Sequence, residues 1–194
     1  MKKIELEEYN QKRHDCWNGA LHAFGYAYLF SKKAELLKKI LKLNTFLGIL
    51  IPLIIGGVVM SYGLQSSLLK LLLTIVIPFS LLQLILSLYI VSYNLEEKYS
   101  YFLESAHDNS QISKEYECLG KYPPENIKDL NIEMDKIKIK RNNRDSLDNK
   151  YPISDKDKRM GMRYSLRNFK RSCAGCNKIP IDMKSTDCGV CGNF

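Results

Sequence analysis

Apolar and polar positions are unevenly shared along this chain. Twenty-seven residues without a charge separate Lys42 from Lys70, and twenty-five more separate Lys70 from Glu96. The cores of these runs, residues 46–60 (FLGILIPLIIGGVVM) and 71–91 (LLLTIVIPFSLLQLILSLYIV), lack the alternation of a strand. A bilayer core about 30 Å thick needs about 20 apolar helical residues, so each run is long enough to cross it. In lipid only helices and closed barrels satisfy their own backbone. The pattern predicts a transmembrane hairpin over residues 44–93, with spans at about 44–62 and 71–93 and a short polar turn between them.

Helical spacing continues on both sides. Trp17, Leu21, Phe24 and Tyr28 recur at i, i+4, i+7 and i+11, which puts four large apolar groups on one face. Residues 31–43 alternate pairs of Lys with Leu and Ile, the pattern of an interfacial amphipathic helix entering the first span. Residues 1–43 are therefore expected to form a cytoplasmic or interfacial helix, whose aromatic face could instead pack on the C-terminal region. After the hairpin one helix is expected to run on to about Leu119 and to stop at Gly120–Pro124. Pro124 can open a second helix, with Ile127, Leu130, Met134 and Ile137 on one face. Residues 141–150 (RNNRDSLDNK) read as a polar bend, and Ser154 or Asp155 can cap a third helix reaching about Lys170. Residues 94–171 thus predict a cytoplasmic helical region, and the chain as a whole an all-α membrane protein.

Charge gives the hairpin a direction. The chain of 194 residues carries a net charge of +8, and within residues 44–95 the only charge is Lys70. Lys32, Lys33, Lys38, Lys39 and Lys42 crowd the entrance to the first span, whereas residues 61–67 carry none. Lys and Arg favour the cytoplasmic side, so both termini are expected inside and the turn outside. No cleavable leader is expected, because the first apolar run begins too far into the chain. A surplus of this size suits anionic headgroups better than a nucleic-acid groove. Arg163, Arg167, Lys170 and Arg171 beside the cysteines are a weak nucleic-acid signal, because basic residues near a membrane are common, and nucleic acid is not an expected partner.

Cysteine spacing carries the chemistry. Cys173-Ala-Gly-Cys176 is followed after eleven residues by Cys188-Gly-Val-Cys191. Two Cys-x-x-Cys pairs supply four thiolates for a tetrahedral zinc ion, and a closed set of four leaves no open position for catalysis. Residues 172–194 are expected to fold as a small zinc ribbon stabilised by the metal. Cys16, Cys118 and the three histidines fall at no ligand spacing. No nucleophile–base pair or phosphate-binding glycine loop is evident, so no enzymatic activity is expected.

Inside the spans, Gly48, Gly56 and Gly57 leave a surface that another helix can approach closely. Ser80, Gln83 and Ser87 share one face at spacings of three and four. Such a stripe finds partners within one hairpin, or faces copies of itself and lines a pore in a homo-oligomer. No charge lies within either span, which argues against a proton pump.

The aromatic N-terminal helix, the tight hairpin, the broken helical region and the spacing of Cys173, Cys176, Cys188 and Cys191 resemble a known family. The chain is similar to the mobilome-associated CxxC–eleven–CxxC membrane proteins, themselves similar to the SLATT group of two-transmembrane effectors. The resemblance implies an effector of bacterial anti-phage or conflict systems, lodged in the inner membrane. It implies oligomerisation, a partner that senses the trigger, and perforation or depolarisation of the membrane. Two other readings stay open: a membrane-anchored adaptor whose zinc ribbon binds a partner protein or nucleic acid, and a small transporter or lipid-handling subunit.

Overall fold

The computed structural model describes residues 3–194, which form five helices: α1 (Lys3–Tyr62), α2 (Ser67–Ser92), α3 (Leu95–Lys121), α4 (Ile127–Asp148) and α5 (Asp155–Asn168). No strand occurs among the described residues. Two units result, one built from residues 33–101 and the other from residues 1–32 with 102–194.

In the first unit, α1 and α2 form the expected hairpin. Gly63 takes a left-handed φ of 76° after α1, and the Ser66 hydroxyl accepts from the Leu68 amide at 3.2 Å to cap α2. Both helices are long and apolar enough to cross a membrane, and none of the most apolar stretch of either is buried. Phe46, Ile49 and Leu53 on α1 and Leu82 and Ile85 on α2 are each more than half exposed. The helix expected to run from the second span to Leu119 is broken instead. Tyr93 closes α2, and Asn94 sits at φ 49° before α3 begins. Asn is one of the few residues that enters this conformation cheaply.

In the second unit, Cys16, Ala20 and Ala23 of α1 pack with Ile112, Tyr116 and Leu119 of α3 and Leu130, Met134 and Ile137 of α4. Small residues on α1 bring the helices close enough for long-range bonds. Ser113 Oγ donates to the Ala20 carbonyl at 2.9 Å, Arg13 Nε to Gly120 O at 3.1 Å, and the Tyr9 hydroxyl to Pro124 O at 2.7 Å. The aromatic face of α1 packs on the C-terminal region: Tyr164 of α5 stacks on Tyr28 at 3.8 Å and on Phe24 at 5.5 Å.

Residues 141–150 do not form the expected bend, because α4 continues to Asp148. Two of its polar residues face inward. Arg144 and Asp148 are both buried, and Arg144 pairs with Asp148, Glu104 and Asp108 at 2.9–3.0 Å. Ser105 and Asn109 of α3 also donate to the Asp148 carboxylate. A buried charge is tolerable only when paired in this way, so the pairing keeps the helix wound where its sequence is least apolar. The helix also starts later than expected, at Ile127, because the Asn126 side chain caps it by accepting from the Lys128 amide at 2.9 Å.

α5 reaches α1 through two glycines. A Cβ added at Gly161 would lie 3.0 Å from the Gly25 carbonyl oxygen and 2.9 Å from Leu29 Cδ1. Neither backbone can recede without lifting the Tyr164 stack. Gly161→Ala is therefore expected to destabilise the protein by about 1–3 kcal/mol, despite the better helix propensity of Ala. The thermal midpoint of the detergent-solubilised protein should fall accordingly, and an unchanged or raised midpoint would contradict the close Gly25–Gly161 approach.

Candidate metal centre

α5 ends in a left-handed turn that delivers the chain to the first cysteine. Lys170 takes φ 49°, its amide bonds Arg167 O at 3.3 Å, and the Arg171 amide bonds Leu166 O at 2.9 Å. This pair of bonds satisfies the last carbonyls of the helix and turns the backbone away from it. Arg171 then reaches back to α1, donating to Asn18 Oδ1 at 2.9 Å.

The two Cys-x-x-Cys segments fold alike. The Asn177 amide bonds Cys173 O at 2.8 Å, and the Gly192 amide bonds Cys188 O at 2.9 Å. In each knuckle the second residue onward turns its amide toward the first sulfur: Gly175 N to Cys173 Sγ and Val190 N to Cys188 Sγ, both at 3.4 Å. The four sulfurs face one another, all within 4.8 Å. Cys173 and Cys188 stand 3.9 Å apart, and Cys176 and Cys191 3.8 Å. Those separations are too long for disulfides, whose sulfurs lie about 2.05 Å apart. They match the edge of a tetrahedron, about 3.8 Å when each metal–sulfur bond is about 2.3 Å. The donor set fits a metal ion.

Electrostatics favours the same conclusion. Backbone amides of Cys191 and Val190 directed at its sulfur push the Cys188 thiol down to about 6, whereas burial pushes Cys191 up to about 12. Four sulfurs crowded together cannot all ionise without a cation between them. No histidine joins the cluster among the described residues, and Cys16 lies apart, its sulfur 3.8 Å from Met134 Sδ.

The knuckles are not free-standing. Cys173 and Cys191 pack with Leu21 of α1 and Leu166 of α5, with Met162 and Phe169 at the edge of the cluster. Arg163, grouped by sequence with Arg167, Lys170 and Arg171, does not share a surface with them. It is buried against Cys191 and Asp182, while Arg167 and Lys170 are exposed. The residues marked in the spans lie in the other unit. Ser87 Oγ donates to Asn44 Oδ1 at 2.9 Å, and a Cβ at Gly48 would lie 2.9 Å from Gln83 Nε2. Ser80, Gln83 and Ser87 are half-buried. Gly56 and Gly57 have nothing within 4 Å of a would-be Cβ. Asn44, which no spacing rule singled out, is the partner of Ser87; an uncharged polar residue at the head of a span is its only mark in the sequence.

The described residues thus combine an all-helical fold, two helices long and apolar enough to cross a membrane, and four cysteines placed so that they could bind a metal ion. The chain belongs to the family of mobilome CxxCx(11)CxxC proteins, whose model matches residues 13–194. No curated protein and no solved structure matches it.

Cys173→Ser together with Cys188→Ser should abolish stoichiometric metal in elemental analysis of the purified protein. Because the cysteines share a cluster with Leu21 and Leu166, a strong chelator should lower the thermal midpoint of the unmodified protein and leave that of the double variant unmoved. Rapid alkylation of all four thiols in metal-replete protein would contradict a closed site.

Proposed function

We propose that this protein is a SLATT-like membrane effector of a bacterial conflict system, which assembles in the inner membrane and depolarises it when triggered. One observation carries the reading: Asn44, Gln83 and Ser87, polar side chains of the spans, meet the facing helix of the same hairpin. Asn44 meets Ser87, and Gln83 lies against Gly48. Two packed helices enclose no aqueous path, so a conducting state needs several chains, and closed symmetry is the usual arrangement for identical subunits. Its lining must come from groups that the hairpin now keeps to itself. Activation then exchanges Asn44–Ser87 and Gln83–Gly48 contacts within one chain for contacts between chains and with water. Gly56 and Gly57, open on the outer face, supply surfaces for close helix approach. Membership of a mobilome family agrees with a role in conflict between mobile elements and their hosts.

In this reading both termini are cytoplasmic, because the Lys-rich entrance to the first span belongs inside and an even number of spans returns the chain to that side. The cysteine cluster holds zinc as a structural ion with no vacant coordination position, and the protein has no enzymatic activity. The trigger arrives through a partner protein rather than nucleic acid. A second reading, a membrane-anchored adaptor, draws on the same pairing of polar groups, since a hairpin closed on itself is a sufficient anchor.

Overexpression in bacteria with a potential-sensitive dye separates the two. The effector depolarises cells and is extracted by gentle detergent as a particle of at least four chains. Gln83→Leu should weaken depolarisation while leaving membrane insertion intact, because one membrane hydrogen bond contributes only about 0.6–2 kcal/mol. A monomeric particle with membrane potential preserved would exclude the effector and leave the adaptor.

A further inference from the structure

Arg163 stands out among the basic residues of the C-terminal segment because it is turned inward. Its side chain is only 7 % exposed. Nε donates to the Asp182 carbonyl at 2.9 Å and Nη2 to the Asp182 carboxylate at 3.0 Å. Nη1 reaches the Cys191 carbonyl at 3.3 Å and lies 4.0 Å from the Cys191 sulfur. One guanidinium therefore bridges the loop between the knuckles and the last ligand of the cluster. A buried guanidinium is costly unless negative groups surround it. Asp182 supplies one such group, and the sulfur cluster is the other.

We propose that Arg163 is a positioning residue for the metal centre, fixing the orientation of Cys191 and offsetting the charge of its thiolate. This rests on the zinc reading of the four cysteines. Four thiolates around a divalent ion leave two net negative charges in a partly buried site. A fixed cation 4.0 Å from one sulfur lowers the energy of that sulfur's lone pairs and makes the loaded cluster less costly to hold. The fork geometry also matters, since one edge grips Asp182 while the remaining nitrogen faces Cys191. Lysine can replace the charge but not the fork. The rival role is a simple stitch between α5 and the inter-knuckle loop, which would act through Asp182 alone.

The full-length protein in detergent, loaded with zinc or cobalt(II), distinguishes these roles. Zinc affinity is read by competition with a chromophoric chelator, and cobalt reports the site through its sulfur-to-metal charge-transfer and ligand-field bands. Loss of an outer partner of a metal ligand commonly lowers affinity about 10–100-fold, and Arg163→Gln is expected in that range. Its charge-transfer band should move to longer wavelength, because the Cys191 sulfur gives up an electron more easily without the cation. The intense ligand-field bands of a tetrahedral site should persist. Arg163→Lys should recover part of the affinity and part of the band shift, and it keeps the test open if the Gln variant does not fold. Asp182→Asn leaves the guanidinium beside Cys191 and should change both readings less than Arg163→Gln does. The proposal is overturned if the Arg163 variants bind zinc with unchanged affinity and keep the original charge-transfer band. It is equally overturned if Asp182→Asn reproduces the full loss. If the unmodified protein takes up neither zinc nor cobalt, the metal reading itself fails, independently of Arg163.

Discussion

Two helices long and apolar enough to cross a membrane expose Phe, Leu and Ile along their outer faces, a surface that water does not tolerate. Each such side chain moved from an apolar medium into water costs about 1.5–3 kcal/mol, and the hairpin carries more of them than a small domain could tolerate. That apolar surface orders the rest of the hairpin. Charge is excluded from both spans, Asn44 and Ser87 satisfy each other between the helices, and the outward Thr45 and Thr74 hydroxyls donate to carbonyls one turn back on their own helices. A polar group left facing lipid would lose water without gaining a partner.

The remaining unit answers the opposite demand, since it must be water-compatible outside and dry within. Its core is small and mixed. Ala and Gly on α1 let α3, α4 and α5 come close, and buried polar residues are accommodated by complete pairing, as with Arg144 and Asp148. The C-terminal knuckles extend this core. They place two cysteines against Leu21 and Leu166, so a bound metal would tie the last helix and the N-terminal helix to one rigid point. The Gly25–Gly161 contact and the Tyr28–Tyr164 stack join the same two helices one turn further along.

Much of this was legible in the sequence where a local rule sufficed. Charge-free runs mark the hairpin, Ser154 marks the start of α5, and the cysteine spacing marks the metal ligands, because each signal is set within a few residues. Legibility fails where the deciding partner lies far along the chain. Residues 141–150 look like a bend until Arg144 meets Glu104 and Asp108, some forty positions away. Arg163 looks like a surface cation until the loop carrying Asp182 folds back on it. The break at Asn94 is hidden for another reason: Asn is tolerated both within helices and in the left-handed turn that ends them, so its identity does not decide. The small residues of α1 were visible but ambiguous, for Gly19 and Gly25 weaken an isolated helix and yet permit the contacts that hold this one.

That the apolar hairpin lies in lipid is the claim on which the rest turns, and washing membranes from expressing cells with alkaline carbonate tests it most directly. If residues 44–93 span the bilayer, the full-length chain stays in the pellet and is released only by detergent. Release of the chain into the supernatant without detergent would mean that the two helices bury their apolar faces against protein, and would contradict the membrane assignment.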